Sequence, residues 1–202
     1  MNADNDDERK FLTFRKVLFN FFTACHKNVF LDFLCSHVAY LLGLLDAELR
    51  ETNFEVNCAN KRCVFELLEL AYKRLHRDEI FSSSSRLCAA YETSKFGQVR
   101  DGKELTKEVL KKCRKFLCDQ IKFVSATTAE ALDKLENRHR QLHCAAYNCL
   151  AALFIRTQKE PRLYSAFLFK DDASRNEFVF EPLVSKTREY KFSIEIEVRL
   201  FY

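Results

Sequence analysis

The histidines and cysteines near position 140 are the residues whose spacing first suggests chemistry. His139 and His143 lie four positions apart, so on a helix they would share one face, and Cys144 and Cys149 follow closely. Imidazole and thiolate groups are the ligands that zinc prefers. However, the sequence lacks the HExxH motif of zinc proteases and contains no Cys-x-x-Cys pair. We therefore assign no metal ligands and expect the thiols to pack as small apolar groups.

Spacing elsewhere also argues against cysteine sites. Three cysteine pairs are five positions apart: Cys58/Cys63, Cys113/Cys118 and Cys144/Cys149. Five helical residues turn the side chain by about 140°, so the two thiols of a pair would not point at one ion. No sequence feature singles out a Cys/His nucleophile pair either.

The tripeptide His76-Arg77-Asp78 spells the start of a protein-kinase catalytic loop. In that loop the Asp accepts the proton of the substrate hydroxyl, and an Asn five residues later holds a metal ion. Position 83 is Ser, and the sequence has neither a Gly-rich phosphate loop nor Asp-Phe-Gly. We interpret the tripeptide as a charged helix end, and we assign no catalytic residue and no cofactor to this chain.

A basic helix face is the one surface feature with functional content. Residues 100–122 hold eight Lys or Arg against four Asp or Glu, which accounts for the whole net charge of +4. On a helical wheel one side is basic, and it forms a candidate phosphate-contacting face: Lys107, Lys111, Arg114, Lys115 and Lys122. Glu104 and Glu108 dilute the charge, and no aromatic residues interleave for base stacking. An ordinary solvated helix face is the alternative.

The composition predicts that these residues lie on helices. The 202 residues are 48% apolar and 31% charged, which is enough to bury a core. Three Gly and two Pro are few for a fold of strands and tight turns. Apolar residues recur at spacings of three and four, which is typical of amphipathic helices. This spacing predicts five helices, over about 11–25, 30–49, 57–76, 103–124 and 127–157.

The remaining segments differ from this pattern. Residues 77–102 contain the serine run Ser82 to Ser85 and two glycines, so we predict a long, partly mobile loop there, with phosphorylation of the serines as an alternative role. In the tail, 162–202, we predict one short helix followed by an extended segment, because apolar and polar residues alternate from Phe192 to Val198.

The number of cysteines and the first residues of the chain indicate the cellular compartment. Nine cysteines form an odd number, and the acidic start MNADNDDERK is no signal peptide. We therefore predict an intracellular protein with reduced thiols. The uncharged runs are too short to cross a bilayer, so no membrane role is expected.

Successive helices with few turn residues predict an all-α fold. We expect a HEAT-like α-solenoid segment of antiparallel helix pairs, forming one scaffold region over 1–202. In it, helices occupy about 8–76 and 103–157, with the loop and the tail described above.

Several longer segments resemble one family. They are FLTFRKVLFNFF (11–22), KRCVFELLELAYKRLHRDEIFS (61–82), GKELTKEVLKKC (102–113), LENRHRQLHCAAYNC (135–149), RLYSAFLF (162–169) and EFVFEPLVSKTREYKFSIEIEV (177–198). Together they resemble the catalytic subunit of DNA-dependent protein kinase, in the central part of its HEAT-repeat cradle.

The resemblance implies a role for the whole protein rather than for this chain. It implies a nuclear serine/threonine kinase that joins Ku at DNA ends and acts in double-strand break repair by non-homologous end joining. The kinase domain lies elsewhere in the family's long chain, so we expect this chain to be a non-catalytic scaffold that contacts neighbouring helical repeats. We expect it to be a fragment, a truncated gene model or a short relative. The alternative is a free-standing helical interaction module unrelated to repair.

Overall fold

The computed structural model describes residues 3–118 and 129–158, all within a compact unit formed by Met1–Glu160. Every regular element in the described residues is helical, which confirms the all-α prediction. The elements are α1 (Ala3–Ala24), α2 (Lys27–Leu44), a 3-10 turn (Glu51–Asn53), α3 (Phe54–Arg74), α4 (Arg77–Ile80), α5 (Arg86–Phe96), α6 (Glu104–Cys118) and α7 (Ala129–Thr157).

Helices α3 and α7 form the centre of the core. Their inward faces carry the apolar residues that the spacing predicted; those buried are Val64, Leu67, Leu68, Ala71, Leu142, Ala146, Cys149 and Leu153. The Cys58 thiol donates to the Arg138 carbonyl at 3.5 Å near one end, and the Arg156 guanidinium donates to the Tyr72 carbonyl at 2.8 Å near the other. Residue numbers in these two contacts increase together along α3 and α7. The two helices therefore run in the same direction.

Helix α1 lies beside α3 on its other edge. Arg15 forms an ion pair with Glu66, and the Arg74 guanidinium donates to the Phe22 carbonyl and to the Cys25 carbonyl. These contacts again advance together, so α1, α3 and α7 are parallel neighbours.

Helices α2, α5 and α6 form a second layer that packs against α3 and α7. Arg86 of α5 bonds Asp32 of α2 at 2.7 Å, and Lys95 of α5 pairs with Glu108 of α6 at 2.8 Å. Helix α2 also packs on α3, and α6 packs on α7. Two layers, α1–α3–α7 and α2–α5–α6, give the α-solenoid arrangement that the sequence predicted.

Side chains of α3 end the second helix earlier than predicted. Helix α2 stops at Leu44, whereas the apolar spacing continues to Leu49. The Lys61 ammonium donates to the Leu45 carbonyl, and the Asn57 amide donates to the Glu48 carbonyl at 2.8 Å. These bonds satisfy carbonyls that a longer helix would have paired internally.

The predicted loop over 77–102 is wrong in its main feature, because this segment contains α4 and α5. Ser85 is the N-cap of α5: its hydroxyl accepts the Cys88 N–H at 3.1 Å. Gly97 ends the helix in the left-handed conformation, with φ 74°. Serine and glycine therefore act as helix caps here, although their composition suggested a loop.

The connection from α5 to α6 is held by a buried carboxylate. Glu92 is fully buried and accepts the Arg100 N–H at 2.6 Å and the Glu104 N–H at 3.4 Å. The second bond reaches the first turn of α6, where backbone N–H groups lack helical partners. This carboxylate therefore fixes where α6 begins.

The predictions for the rest of the chain lie outside the described residues. These are the part of the fourth helix after Cys118, the cap of the fifth at Thr127 or Thr128, and the tail 162–202. The single-region assignment over 1–202 stays a prediction. Within the described ranges, no helix is both long and apolar enough to cross a bilayer.

Candidate functional site

The basic face predicted for the fourth helix lies on α6. The opposite face is anchored in the core, where Leu105, Val109 and Cys113 are buried. Four of its five predicted residues are exposed: Lys107, Lys111, Arg114 and Lys115. The fifth, Lys122, lies outside the described residues. The four described basic residues therefore point to solvent, as the helical wheel predicted.

Carboxylates neutralise the first turn of this face. The Lys107 ammonium lies 2.6 Å from Glu104 and 3.7 Å from Asp101. The hydrogen bond to Glu104 raises the pKa of Lys107, and the Lys103 backbone N–H lowers the pKa of Asp101. Both groups stay charged at neutral pH, and their charges largely cancel towards solvent.

Glu108 balances the positive charge of lysines on the side of α6 that faces α5. Burial alone would raise the pKa of Glu108, but hydrogen bonds from Lys95 and Lys112 outweigh it and keep the pKa below its usual value. The bonds to Glu108 and to the Tyr91 hydroxyl raise the pKa of Lys95 to about 12. Lys112 also pairs with Asp46.

The middle of the face contains two lysines that differ from Lys107. Among the described residues, no ion pair involves Lys111 or Lys115. Lys115 lies near enough to Asp46 to help lower the pKa of that carboxyl, after the larger effect of the Lys112 hydrogen bond. These two lysines are therefore exposed cations without a paired carboxylate among the described residues.

Cation–π contacts around the connection that precedes α6 are a feature that sequence reasoning missed. The Arg100 guanidinium lies 3.7 Å from the centre of the Phe96 ring, and Lys95 lies 5.5 Å from it. Arg77 and Lys103 lie 5.0 and 5.9 Å from the Phe81 ring. The Arg77/Phe81 spacing of four was visible in the sequence. Lys95 and Phe96 are adjacent in the sequence, and the Arg100/Phe96 and Lys103/Phe81 contacts depend on the fold of the 97–103 connection.

His139 and His143 come together as their spacing predicted. Their Nε2 atoms are 3.1 Å apart, and both rings pack near Phe116 of α6. Burial lowers the pKa of His139 to about 4, with a smaller contribution from His143, and burial also lowers the pKa of His143. Both imidazoles are therefore neutral at physiological pH. The described residues contain no group of three or more His, Cys, Asp or Glu that could hold a metal ion.

The cysteines divide by helix face. Cys149 is buried and Cys144 is exposed, as the five-residue spacing implied; likewise Cys58 is buried and Cys63 half-buried. All are unlinked within the described residues. Burial, followed by the hydrogen bond with Cys113, raises the pKa of the Cys149 thiol. Buried thiols of this kind are weak nucleophiles.

The comparison with known sequences decides the family. A model of the family described as DNA-dependent protein kinase catalytic subunit, CC3, matches residues 11–201. This chain belongs to that family. The match takes in the basic face of α6 and both histidines of α7, and it extends through the tail.

Relatives from several vertebrates agree with this assignment. The DNA-dependent protein kinase catalytic subunit of Gallus gallus is 30% identical over 189 residues, which cover 92% of this chain and 4% of the relative. The Mus musculus subunit is 34% identical over 151 residues, covering 75% and 3%. The Xenopus laevis subunit is 30% identical over 177 residues, covering 86% and 4%. The chain thus spans a small part of the length of these relatives.

His76-Arg77-Asp78 forms the start of α4 in this family segment, with His76 as the N-cap. The His76 backbone N–H donates to the Glu79 carboxylate at 2.8 Å, which stabilises the start of α4. The Arg77 guanidinium donates to the Thr157 carbonyl at 3.3 Å, and Asp78 is exposed. Two of the three residues thus contribute to helix packing, in line with the charged helix end predicted from the sequence.

The serine run is divided between core and surface. Ser85 is buried as the N-cap of α5, whereas Ser83 and Ser84 are exposed. The Ser84 backbone N–H donates to the Ser82 hydroxyl at 3.2 Å. Phosphorylation of this run stays a prediction, and only its exposed members offer an accessible hydroxyl.

Proposed function

We propose that this chain is a non-catalytic helical scaffold segment within a much longer subunit of the DNA-dependent protein kinase family. The observation that carries the proposal is the family match over residues 11–201, combined with the chain's coverage of only 4% of the Gallus gallus relative. A region of that size in a long solenoid supports its neighbours rather than working alone.

The outer face of α1 supports a place among further helices. Three large apolar side chains that share one side of α1 are 53–64% exposed: Phe14, Val17 and Phe21. Exposed apolar patches of this kind mark interaction surfaces in soluble proteins. Neighbouring helical repeats of the full-length protein are the partners that we propose for this face.

We propose that the whole protein acts in repair of DNA double-strand breaks by non-homologous end joining. The relatives' name describes a DNA-dependent kinase, and serine/threonine phosphorylation would be performed by a region outside this chain. On this proposal the assembly is nuclear, and Ku and DNA ends are its partners. The sequence resemblance supports these partners at the level of the assembly.

A narrower proposal concerns the middle of α6. Lys111 and Lys115 are exposed on a face that the core holds rigidly, so they could meet DNA phosphates at little conformational cost. The acids around Lys107 weaken the neighbouring turn, and such a contact would therefore add affinity without base specificity.

The alternative proposal is a free-standing interaction module unrelated to repair. The α1 face favours it as well, because exposed apolar side chains at helical spacing also suit an amphipathic peptide. The two proposals differ in the size of the natural polypeptide.

Immunoblotting separates them. An antibody raised against residues 54–118 should detect a polypeptide many times larger than the 23.8 kDa of this chain. Disrupting the codons of α3 in the genome should remove that band, which controls for specificity. A band at about the mass of this chain, lost on the same disruption, would favour the free-standing module.

A further inference from the structure

The two histidines of α7 form an unusual pair on a half-buried surface. Their ring centres are 4.3 Å apart and the rings are inclined at 67°. Phe116 packs against both, with its ring centre 4.9 Å from His143 and 6.1 Å from His139. These contacts restrict the side chains, so the pair keeps its geometry without help from a ligand.

The separation of the two nitrogens fits a metal ion. The Nε2 atoms are 3.1 Å apart. An ion bound at about 2.05 Å from each would subtend an angle of about 98°, which lies between square and tetrahedral coordination. A helix presents such a pair only when the residues are three or four apart.

We propose that His139 and His143 form a two-imidazole site for a borderline divalent transition-metal ion, with zinc as the representative ion. Both Nε2 atoms are ligands, and water completes the coordination, because both residues are only half-buried. The hard ions magnesium and calcium are excluded, because they require oxygen ligands.

Proton balance is simple in this site. Without metal, one Nε2–H donates to the other Nε2 across the 3.1 Å contact. On binding, that proton moves to Nδ1 of its own ring, so both Nε2 lone pairs face the ion and no proton is released. The neutral state that burial imposes on both rings is the state that binds metals.

The ion would fasten one turn of α7 where it meets α6. This turn includes Leu142, which is fully buried in the core. Binding to the folded state alone raises stability according to the ratio of free metal to its dissociation constant. Metal binding would thereby stabilise the folded turn of α7 that carries both histidines.

Long-range ¹H–¹⁵N NMR of the full chain with zinc chloride tests the proposal. Imidazole signals distinguish this site from zinc bound to the chain's thiols. We expect the Nε2 resonances of His139 and His143 to shift together, EDTA to reverse the change and magnesium chloride to produce none. His37 lies exposed on α2 and is the internal control.

Substitution completes the test. Even the loss of outer-shell partners costs about 10–100-fold in metal affinity, so His139→Gln and His143→Gln should each weaken zinc binding at least about ten-fold. His37→Gln should leave it unchanged. If the variants fail to fold, the wild-type spectra alone decide. Unshifted Nε2 signals at millimolar zinc would overturn the proposal and leave a hydrogen-bonded pair of purely structural role.

Discussion

Gly102 lies directly against the backbone of Ser82, and its φ of 71° is in the left-handed region. A Cβ added to Gly102 would overlap the carbonyl carbon and oxygen of Ser82. Two connections that flank α5, the serine run and the turn before α6, are thus locked together at a position where only glycine fits. Part of the segment that composition suggested as a mobile loop is therefore held by close backbone packing.

Gly102→Ala should lower the free energy of unfolding by more than about 2 kcal/mol, because the backbone must shift and the conformation is strained. Gly97→Ala is the matched control. Gly97 has φ 74°, but no atom lies within 4 Å of an added Cβ. Gly97→Ala should therefore lower the free energy of unfolding by only about 1 kcal/mol. Urea denaturation of both variants measures the difference. Equal losses would show that the contact with Ser82 is absent in solution.

The chain should become less stable as pH falls from 6.5 towards 4. The pKa of His139 is about 4 in the folded state and about 6.5 when unfolded, so the unfolded chain binds more protons in this window. The stability that the neutral His139 contributes is fully present above pH 6.5 and is lost as the pH falls. Since His139 is only half-buried, solvent screens part of the effect, and we expect a loss of only about 1 kcal/mol. Urea melts with EDTA at pH 7.5 and 5.0 measure it.

His139→Gln should reduce this pH dependence, and His37→Gln should not. His143 lies against His139, and its own lowered pKa gives a contribution of the same sign, so the single variant leaves part of the slope. A slope unchanged in His139→Gln would contradict the buried neutral pair.

The outer face of α1 should be dispensable for folding of this chain. Phe14 and Val17 are 64% and 61% exposed, so Phe14→Ser with Val17→Ser should change stability by no more than about 0.5 kcal/mol. Phe22 is 3% exposed, and Phe22→Ser should cost about 3 kcal/mol or more. Thermal unfolding compares them. A large loss in the double variant would mean that this face packs within the chain, which would remove it as a site for neighbouring repeats.

DNA binding should depend on the middle of α6. Replacing Lys111 and Lys115 by Gln should reduce the slope of log affinity against log salt by about 2, since each phosphate contact contributes about 0.9. Lys16→Gln with Lys73→Gln removes the same charge from exposed positions on α1 and α3. Fluorescence anisotropy with a DNA duplex measures both. Equal effects in the two variants would show that only net charge matters.

Sequence reasoning predicted the features that depend on a repeated local pattern. The apolar spacing of α3 and α7 located their buried faces, and the helical wheel oriented Lys111 and Lys115 outward. Such patterns persist because each turn of an amphipathic helix must bury the same side.

Features set by one tertiary contact were not predictable in this way. The predicted loop failed because Ser85 and Gly97 serve as caps, and a short helix of 11 residues offers few repeats of an apolar pattern. The burial of Glu92 depends on backbone N–H groups 8 and 12 residues away, which no spacing rule identifies. The contacts of both histidines with Phe116 also depend on the packing of α6 against α7.

The central claim is that this chain performs the work of the matching segment in its longer relatives. A chimera in which the matching 75% of this chain replaces the matched segment of the Mus musculus subunit tests this directly, with DNA-stimulated peptide phosphorylation as the measurement. A second chimera carrying Phe65→Asp, at a position 1% exposed, controls for loss of the fold. We predict that the first chimera keeps DNA-stimulated phosphorylation and the second loses it. A first chimera that is folded but as inactive as the second would contradict the scaffold account.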